Sequence, residues 1–344
     1  MAQTRHIMKK IFLNLVLFLS LTGASFAQSS MMATLSHEGE ISVFYGPLAL
    51  REAHAVAEHG DAIALSGGTF KGCDITKAIT LRGAGWERDT IRNTIPTKIE
   101  NEITISISDT VPQRLTVEGI YYEGKVQITK GLNNATFIKT HFQNGVTYSG
   151  EGYDGSCYKN NSFIQCVFYA TFYGASYHKT ESSYNFINCY LRNGINNYDI
   201  YSTFTNCAIL NCTYIDEIEY STLNNCILQG KSNKNYDILP ASSFATNCVV
   251  YDSYYESGTF TNASPTNKVS TAAELWAGNG ILGALTDEAK AKFLGDDGTE
   301  VGIYGGPFPF TSTTTNPQIT KCNVASRSTA DGKLSIDIEV KAGE

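Results

Sequence analysis

The sequence predicts an all-β fold, a right-handed parallel β-helix built from one chain, with an N-terminal capping helix and a short C-terminal β tail. One pattern occurs seven times between residues 117 and 250: a large apolar residue, a buried-type residue three positions later, and another apolar residue after two more, with one insertion in the last copy. Successive buried-type residues are 18 to 26 positions apart. A repeat of about twenty residues with strand-like cores is typical of a solenoid, in which each coil buries its apolar side by stacking on its neighbours.

The spacing inside the repeat predicts a bend between two strands. Side chains on one side of a strand recur every two residues, but here the first two apolar positions are three apart, so the alternation breaks between them. Asn188, Asn206, Asn225 and Asn247 precede this break in four copies, and Gly119 precedes it in the first. Both residue types tolerate the left-handed backbone conformation. We therefore expect a one-residue bend in each coil, with stacked Asn amides hydrogen-bonded along a ladder.

Five of the nine cysteines fall in one column of the repeat, namely Cys166, Cys189, Cys207, Cys226 and Cys248. The column holds Ile120 and Thr140 in the other coils, so it needs a small buried side chain, and a free Cys behaves as one. Neighbouring coils lie ~4.8 Å apart with parallel side chains, which favours free thiols over the alternatives of disulfides or a metal site. Cys157, Cys212 and Cys322 lie outside the column, and the pattern leaves their redox state unassigned.

Composition agrees with a long β core and excludes one class of partner. The 344 residues are 42% hydrophobic and 17% charged, with 20 Tyr and 17 Phe. Aromatic residues favour strands. The formal net charge is −7, which argues against a nucleic-acid partner.

The first 27 residues have the features of a secretory signal peptide. Met8-Lys9-Lys10 precedes an apolar run from Ile11 to Leu21, and Ser25 and Ala27 are the small residues of a cleavage site. The residues before Met8 resemble an upstream extension of the reading frame. No later segment approaches the ~20 apolar residues of a membrane span. We expect a mature chain that begins at Gln28 and is secreted, periplasmic or on the cell surface.

The two ends of the predicted solenoid, residues 45–306, differ from its coils. Residues 28–44 form an N-terminal segment without an assigned element, and the apolar stripe 49, 50, 53, 56 and 57 predicts a helix that caps the open end before the first strand at Ile63 and Leu65. Residues 307–344 begin with a Pro- and Thr-rich linker and continue with a hairpin-like pattern around Asp331-Gly332. About 30 residues are too few for an independent core, so this tail is expected to lie along the solenoid or to start a contact module.

Three segments carry a resemblance to a known family. They are Ala49 to Ala53, Gly60 to Phe70 with Ile79 to Gly85, and Asp297 to Gly306. Over residues 45 to 310 the chain resembles secreted right-handed parallel β-helix proteins of the pectate-lyase-like superfamily, above all Bacteroidetes-type members of unassigned function. The resemblance implies the fold. It also implies that any polysaccharide-cleaving site lies on the outer face of the strand before the one that begins the repeat.

Three acidic residues are the candidate catalytic or metal-binding groups on that strand. Asp199, Glu217 and Asp237 each precede an Ile, and if Ile200, Ile218 and Ile238 point inward the carboxylates form an outward column with ~4.8 Å between neighbours. Such a column raises one pKa, as a general acid requires, or binds Ca²⁺; otherwise it is a solvated acidic stripe. His178 and Lys179 form the only basic pair nearby, in a loop. The lyases of the superfamily need a calcium-binding carboxylate cluster with an Arg or Lys base. The hydrolases carry a paired Asp-Asp, which is missing from this strand, and a Gly-His-Gly segment, which is missing from the chain.

The competing functional class is a non-catalytic, monomeric protein that binds a glycan or another cell-surface component. This class is favoured by the many tyrosines predicted to lie in loops, namely Tyr148, Tyr153, Tyr158, Tyr169, Tyr173, Tyr177, Tyr184, Tyr251, Tyr254 and Tyr255. Exposed rings stack on sugar faces, although rings that point inward would only build the core. The ligand-binding candidates are Tyr173, Tyr177, Arg192 and Lys234, beside the acidic column. The sequence favours this class and keeps a polysaccharide lyase or glycoside hydrolase acting on an acidic or plant glycan as the alternative.

Overall fold

The computed structural model is a right-handed-type parallel β-solenoid of about 7 turns. It describes residues 31–88, 94–108, 110–149, 158–174, 182–196, 201–212, 218, 220–230, 242–251, 264, 266–278, 282, 284–315, 318–329 and 331–341. The predicted all-β fold is confirmed, and the helices within these residues are three short ones. No helix in this part of the chain is long and apolar enough to cross a membrane.

Three sheets form the walls of the solenoid. Sheet A contains, in spatial order, β2 (Glu40–Tyr45), β1 (Met32–His37), β3 (Ala62–Leu65), β5 (Thr80–Arg82), β8 (Thr116–Glu118), β11 (Thr136–Ile138), β14 (Asn161–Ile164), β17 (Ser183–Ile187), β20 (Tyr201–Thr205), β22 (Ser221–Asn224) and β24 (Phe244–Thr246). Sheet B contains β4 (Gly68–Lys71), β6 (Thr97–Glu100), β9 (Tyr121–Tyr122), β12 (His141–Phe142), β15 (Val167–Phe168), β18 (Tyr190–Leu191), β21 (Ala208–Cys212), β23 (Ile227–Gly230), β25 (Val249–Tyr251) and β26 (Lys268–Ser270). Sheet C contains β7 (Ile103–Ser106), β10 (Val126–Thr129), β13 (Val146–Tyr148), β16 (Phe172–Tyr173) and β19 (Ile195–Asn196).

The predicted one-residue bend joins sheet A to sheet B in all seven repeats. The residue before the break has a φ between 46° and 67° whether it is Asn, Gly, Lys139 or Gln165. A left-handed residue there turns the chain so that both flanking strands aim their apolar side chains into one interior. The three-residue spacing between the apolar positions therefore predicted the bend correctly, even at Lys139 and Gln165, whose residue types do not favour a left-handed conformation.

The cysteine column lies inside, as predicted. Its five members are fully buried and free. Each Sγ lies within hydrogen-bonding distance of the carbonyl oxygen two residues earlier, as from Cys189 to Ile187 at 3.4 Å. Burial raises the pKa of the Cys189 thiol well above its usual range. Beside this column Phe137, Phe163, Phe186 and Phe204 stack coil on coil, with ring centroids 4.7 to 5.1 Å apart.

The N-terminal end differs in part from its prediction. Helix α1 (Ala49–Val56) forms, but its buried stripe includes His54, whereas Val56 is 61% exposed. The unassigned segment before it contains β1 and β2, an antiparallel pair that extends sheet A beyond β3. The sequence analysis missed this pair because two short strands outside the repeat share none of its spacing. The helix therefore does not close the sheet edge, which ends at β2.

The chain after sheet B folds back over the outer face of that sheet and forms a second core. Helices α2 (Ala272–Leu275) and α3 (Asp287–Lys292) and the segment after them supply its outer half. The outward side chains of sheet B supply its inner half. The buried members are Val167, Tyr190, Ala208, Ile227, Val249, Tyr251, Leu275, Leu285, Ala289, Phe293, Val301, Ile303 and Phe310.

Residues 294–315, here called the strap, run along the A–B bends toward the N-terminal end. Asn225 Nδ2 donates to Asp296 Oδ1 at 2.8 Å, and Asn188 Nδ2 donates to the Ile303 and Gly305 carbonyls, each at 2.8 Å. Further along, Gln165 Nε2 donates to the Pro309 carbonyl, Lys139 Nζ to that of Thr313, and the Thr315 amide to Glu118 Oε1. The expected Asn ladder along this column is therefore wrong, because the Asn188 and Asn225 amides bind the strap instead of each other.

A ladder of Asn side chains does exist at the other corner, between sheets B and C. Asn144, Asn193 and Asn211 each donate from Nδ2 to the backbone carbonyl of the preceding coil, at 2.7 to 2.9 Å. After the strap, β27 (Gln318–Val324) and β28 (Ile336–Lys341) form the predicted antiparallel hairpin. Every residue of β28 is exposed, so the hairpin is not an extra strand pair lying along the solenoid.

Candidate functional site

The outer face of sheet C is the candidate site, because its strands present one side chain per coil in strict register. Parallel pairing aligns Thr104 with Gln127, Gln127 with Thr147, Thr147 with Tyr173, and Tyr173 with Asn196. In each strand the neighbouring residues are buried in the core, as Ile103 and Ile105 are beside Thr104. The alternation therefore fixes the outward direction of the row. At ~4.8 Å per coil the five side chains span about 19 Å.

The row is made of groups that donate and accept hydrogen bonds without carrying a charge. Two hydroxyls, two carboxamides and one phenol project from it, and Tyr173 is 46% exposed. The strands themselves contribute no Asp, Glu, Lys, Arg or His within β7, β10, β13, β16 and β19. Glu102, just before β7, accepts a hydrogen bond from Gln127 Nε2 and holds that side chain along the row.

A cleft of about 530 Å³ lies at the N-terminal end of this row. Ile75 pairs with Ile105 in a parallel bridge, so residues 74–76 prolong sheet C by one coil, and Asp74 Oδ1 accepts from the Thr104 amide at 3.3 Å. Helix α1 forms the opposite wall. The cleft is lined by Arg51, His54, Ala55, Gly72, Cys73, Asp74, Thr76, Asn101 and Glu102.

Two titratable groups of the cleft are held neutral. Burial lowers the pKa of His54, whose Nε2 accepts a hydrogen bond from the Thr76 amide at 3.3 Å. Burial also raises the pKa of the Cys73 thiol to about 11, so it is protonated and a poor nucleophile near pH 7. Arg51 anchors the helix to the floor by donating to the Gly72 carbonyl at 3.1 Å. The cleft is suited to hydrogen bonding rather than to nucleophilic catalysis.

Most of the described tyrosines that the sequence analysis considered for a glycan platform are buried, either in the inner core or, as Tyr251 is, in the second core. Tyr148, Tyr158 and Tyr184 are buried and pack on one another and on Phe172, and Tyr251 is buried against Trp276. Tyr153, Tyr177, Tyr254 and Tyr255 lie outside the described residues. Of the described members only Tyr169 and Tyr173 are exposed.

Arg192 lies at the corner between sheets B and C, with its guanidinium carbon 3.9 Å from the ring centroid of Tyr169. The ring centroid of His141 lies 6.3 Å from that of Tyr169. His141 is 8% exposed and packs against Tyr121 and Trp86. Burial lowers the pKa of His141 to about 4. Because the Arg192 guanidinium lies over the Tyr169 ring, Tyr173 is the more accessible of the two exposed rings in this group, at 46% against 37%.

The acidic candidates fall on residues that the structure does not describe. Asp199, Glu217, Asp237, His178, Lys179 and Lys234 lie outside the described ranges. Ile218, predicted to point inward, is buried. The described sheet C strand that precedes Asp199 is Ile195–Asn196, with Ile195 buried, and residues 197–200 lie outside the described ranges.

Sequence reasoning missed Thr104, Gln127, Thr147 and Asn196. The sequence signal for these residues is the alternation of apolar and polar residues in segments as short as Val126–Thr129. Without the strand pairing register, so short a segment is hard to distinguish from a loop. Within the described part of the chain, no group of three or more His, Cys, Asp or Glu side chains is placed to hold a metal ion.

Comparison of the chain with protein-family models, with curated proteins and with solved structures finds no significant match.

Proposed function

We propose that this protein is an exported, non-catalytic β-solenoid that binds a glycan along the outer face of sheet C. The observation that carries the proposal is the in-register row of Thr104, Gln127, Thr147, Tyr173 and Asn196. Sugar hydroxyls both donate and accept hydrogen bonds, as hydroxyl and carboxamide side chains do. A Tyr ring beside them offers an apolar face for stacking on a sugar ring.

The repetition of the row favours an extended ligand over a small one. A solenoid presents the same face at each coil, which gives a rigid and periodic surface. A polymer with a repeating unit can make the same contact at successive coils, and weak contacts then add up along one ligand. The cleft with Arg51, Asp74 and Glu102 adds charged and polar groups where helix α1 closes one end of the row.

The proposal includes an exported location, and it draws on the motif resemblance described above. The signal-peptide features of residues 1–27 support a secreted, periplasmic or cell-surface location, where glycans are available partners. The motif resemblance is to a superfamily that includes polysaccharide-cleaving proteins, although its Bacteroidetes-type members are of unassigned function. The fold alone does not imply a carbohydrate-related role, because function depends on the site that a fold carries.

A polysaccharide lyase or glycoside hydrolase is the second candidate. It is favoured by one observation: Asp199 follows Asn196, the last residue of the row, by three positions in the sequence. In that case Asp199→Asn abolishes cleavage of an acidic or plant glycan. Calcium titration of the same variant and of Glu217→Gln tests the metal alternative, since a bound ion stabilises the fold in proportion to its occupancy.

A glycan array followed by calorimetry tests the main proposal. We expect retention of an extended glycan, with affinity reduced about tenfold or more by Tyr173→Ala and about threefold to tenfold by Gln127→Ala. The matched control is Thr222→Ala, an exposed outward residue on sheet A. Asp199→Asn leaves binding intact. Failure to retain any glycan, or equal binding by the Tyr173→Ala and wild-type chains, contradicts the proposal.

A further inference from the structure

Each end of the described chain carries an uncovered apolar strip on a β-hairpin. The N-terminal strip is Ile41, Val43 and Tyr45 on β2, which are 41% to 69% exposed. The C-terminal strip is Val324, Ile336, Ile338 and Val340 on β27 and β28, which are 51% to 55% exposed. Exposed apolar groups that are contiguous, rather than scattered singly, mark interaction surfaces.

The pairing register places the members of each strip on one face. Ile41, Val43 and Tyr45 are two residues apart, and so are Ile336, Ile338 and Val340, while Val324 lies directly opposite Ile336. The other face of the C-terminal hairpin is polar, with Lys321 Nζ 2.7 Å from Asp337 Oδ2. This hairpin is therefore amphipathic, and its apolar face lacks the layer that an isolated two-stranded ribbon needs for stability in water.

The N-terminal strip lies on the last strand of sheet A. Among the described strands, β2 pairs only with β1, so within this part of the chain its outer edge and its apolar face are both open. Soluble proteins usually blunt such an edge with charge, Pro or a covering element. Here the exposed side chains of β2 alternate as Ile41, Val43 and Tyr45 instead.

The strap brings the two strips to the same end of the molecule. Its last anchor is Thr315, whose amide donates to Glu118 Oε1 at 2.8 Å at the end of β8. In sheet A, β8 is four strands from β2, or about 19 Å at ~4.8 Å per strand. The C-terminal hairpin starts three residues after this anchor, so both strips belong to one region beside the N-terminal cap.

We propose that the two strips form the interface of a two-fold symmetric dimer, in which the C-terminal hairpin of each copy packs its apolar face on the N-terminal strip of the other. Both strips are exposed within one chain, so neither covers the other there. A two-fold axis beside the cap would bury both apolar strips of both copies at once, because an isologous interface uses the same surfaces of each copy. The sequence analysis expected a monomer, before the exposure of these strips could be considered.

Size and charge favour a second copy as the occupant. The β1–β2 hairpin and the residues of the β27–β28 hairpin together supply the roughly 20–30 residues per side of a standard interface. Residues 31–48 contain Glu38 and Glu40 and no Lys or Arg. Residues 318–341 contain four basic residues, Lys321, Arg327, Lys333 and Lys341, against three acidic ones. The apolar strips therefore have rims of opposite net charge, which suits a contact between unlike hairpins better than between like ones.

Sedimentation velocity of the purified chain across the micromolar range tests the dimer. We expect a concentration-dependent dimer whose Kd rises at least about tenfold with Ile338→Asp and with Val43→Asp. Both positions are exposed, so circular dichroism should show an unchanged fold. Thr222→Asp, exposed on sheet A at the far end, is the matched control and should leave the Kd unchanged.

Mixing the two strip variants separates this arrangement from hairpin-to-hairpin packing. An Ile338→Asp chain keeps its N-terminal strip and a Val43→Asp chain keeps its hairpin, so one intact contact forms in their heterodimer and none in either homodimer. Stronger association in the mixture than in either variant alone is the expected result. A wild-type chain that stays monomeric over the whole range overturns the proposal, as does a mixture that associates no better than its components.

Discussion

Sheets B and C are built by the same coils, yet the outer face of sheet B is buried and that of sheet C is exposed to solvent. On sheet B the outward side chains Val167, Ala208, Ile227 and Val249 are apolar and are buried under the returning C-terminal segment. On sheet C the outward row is polar and stays in contact with solvent. The inner faces of both are equally apolar and buried. The difference shows that the outward residue of each strand, which the coil itself does not constrain, decides which wall is covered and which is free for a ligand.

Removing a large side chain from the cover of sheet B should have the largest effect on stability. Phe293 is 2% exposed in the second core, so Phe293→Ala leaves a cavity and should lower the free energy of unfolding by about 3–5 kcal/mol in urea titrations. Phe308→Ala is the matched control, because Phe308 lies in the strap that follows Phe293 but is 64% exposed. A change there should stay within about 0.5 kcal/mol. Equal effects at the two positions would mean that the second core does not stabilise the fold.

The covered face should also make stability depend on pH through His141. Its pKa is lowered by burial to about 4, whereas an unfolded His titrates near 6.5. Between these values the unfolded chain binds a proton that the folded chain does not, so stability is complete above about pH 6.5 and falls as pH drops toward 4. We expect a loss of about 1–3 kcal/mol across this window, measured by urea unfolding at several pH values. His141→Gln should remove most of that slope, and an unchanged slope would show that other groups cause it.

The comparison also separates what the sequence could predict from what it could not. The bend, the cysteine column and the stacked Phe side chains follow from spacing within about six residues, because every coil repeats the same inward positions. The strap could not be predicted, since its contacts join residues such as Asn188 and Ile303 that are 115 positions apart and share no local pattern. The outward row of sheet C was missed for another reason. Its neutral side chains are common on any exposed strand, whereas the carboxylates of Asp199, Glu217 and Asp237 drew attention by their chemistry.

The bend column should show a smaller effect, which depends on contact with the strap. Asn188→Gly keeps the left-handed conformation but leaves the buried Ile303 and Gly305 carbonyls without their donor, which should cost about 1–2 kcal/mol. Asn247 has the same backbone conformation, with φ 51° against 50°, in the last repeat. Asn247→Gly should change the unfolding free energy by no more than about 0.5 kcal/mol. The same loss at both positions would assign the effect to the backbone and not to the strap.

Exchanging Val and Thr between the two faces gives the smallest expected change in stability and the sharpest comparison. Thr147→Val removes a hydroxyl from the open row of sheet C, where water or a ligand is its alternative partner, so the unfolding free energy should change by less than about 0.5 kcal/mol. The glycan affinity proposed for this face should nevertheless fall about threefold to tenfold in calorimetry, because a hydrogen bond is lost.

Val167→Thr makes the reverse exchange under the cover of sheet B, where Val167 is 2% exposed. A hydroxyl without a partner there should cost about 1–3 kcal/mol. If both exchanges proved neutral, the polarity of the outward residue would not be what distinguishes the covered wall from the open one.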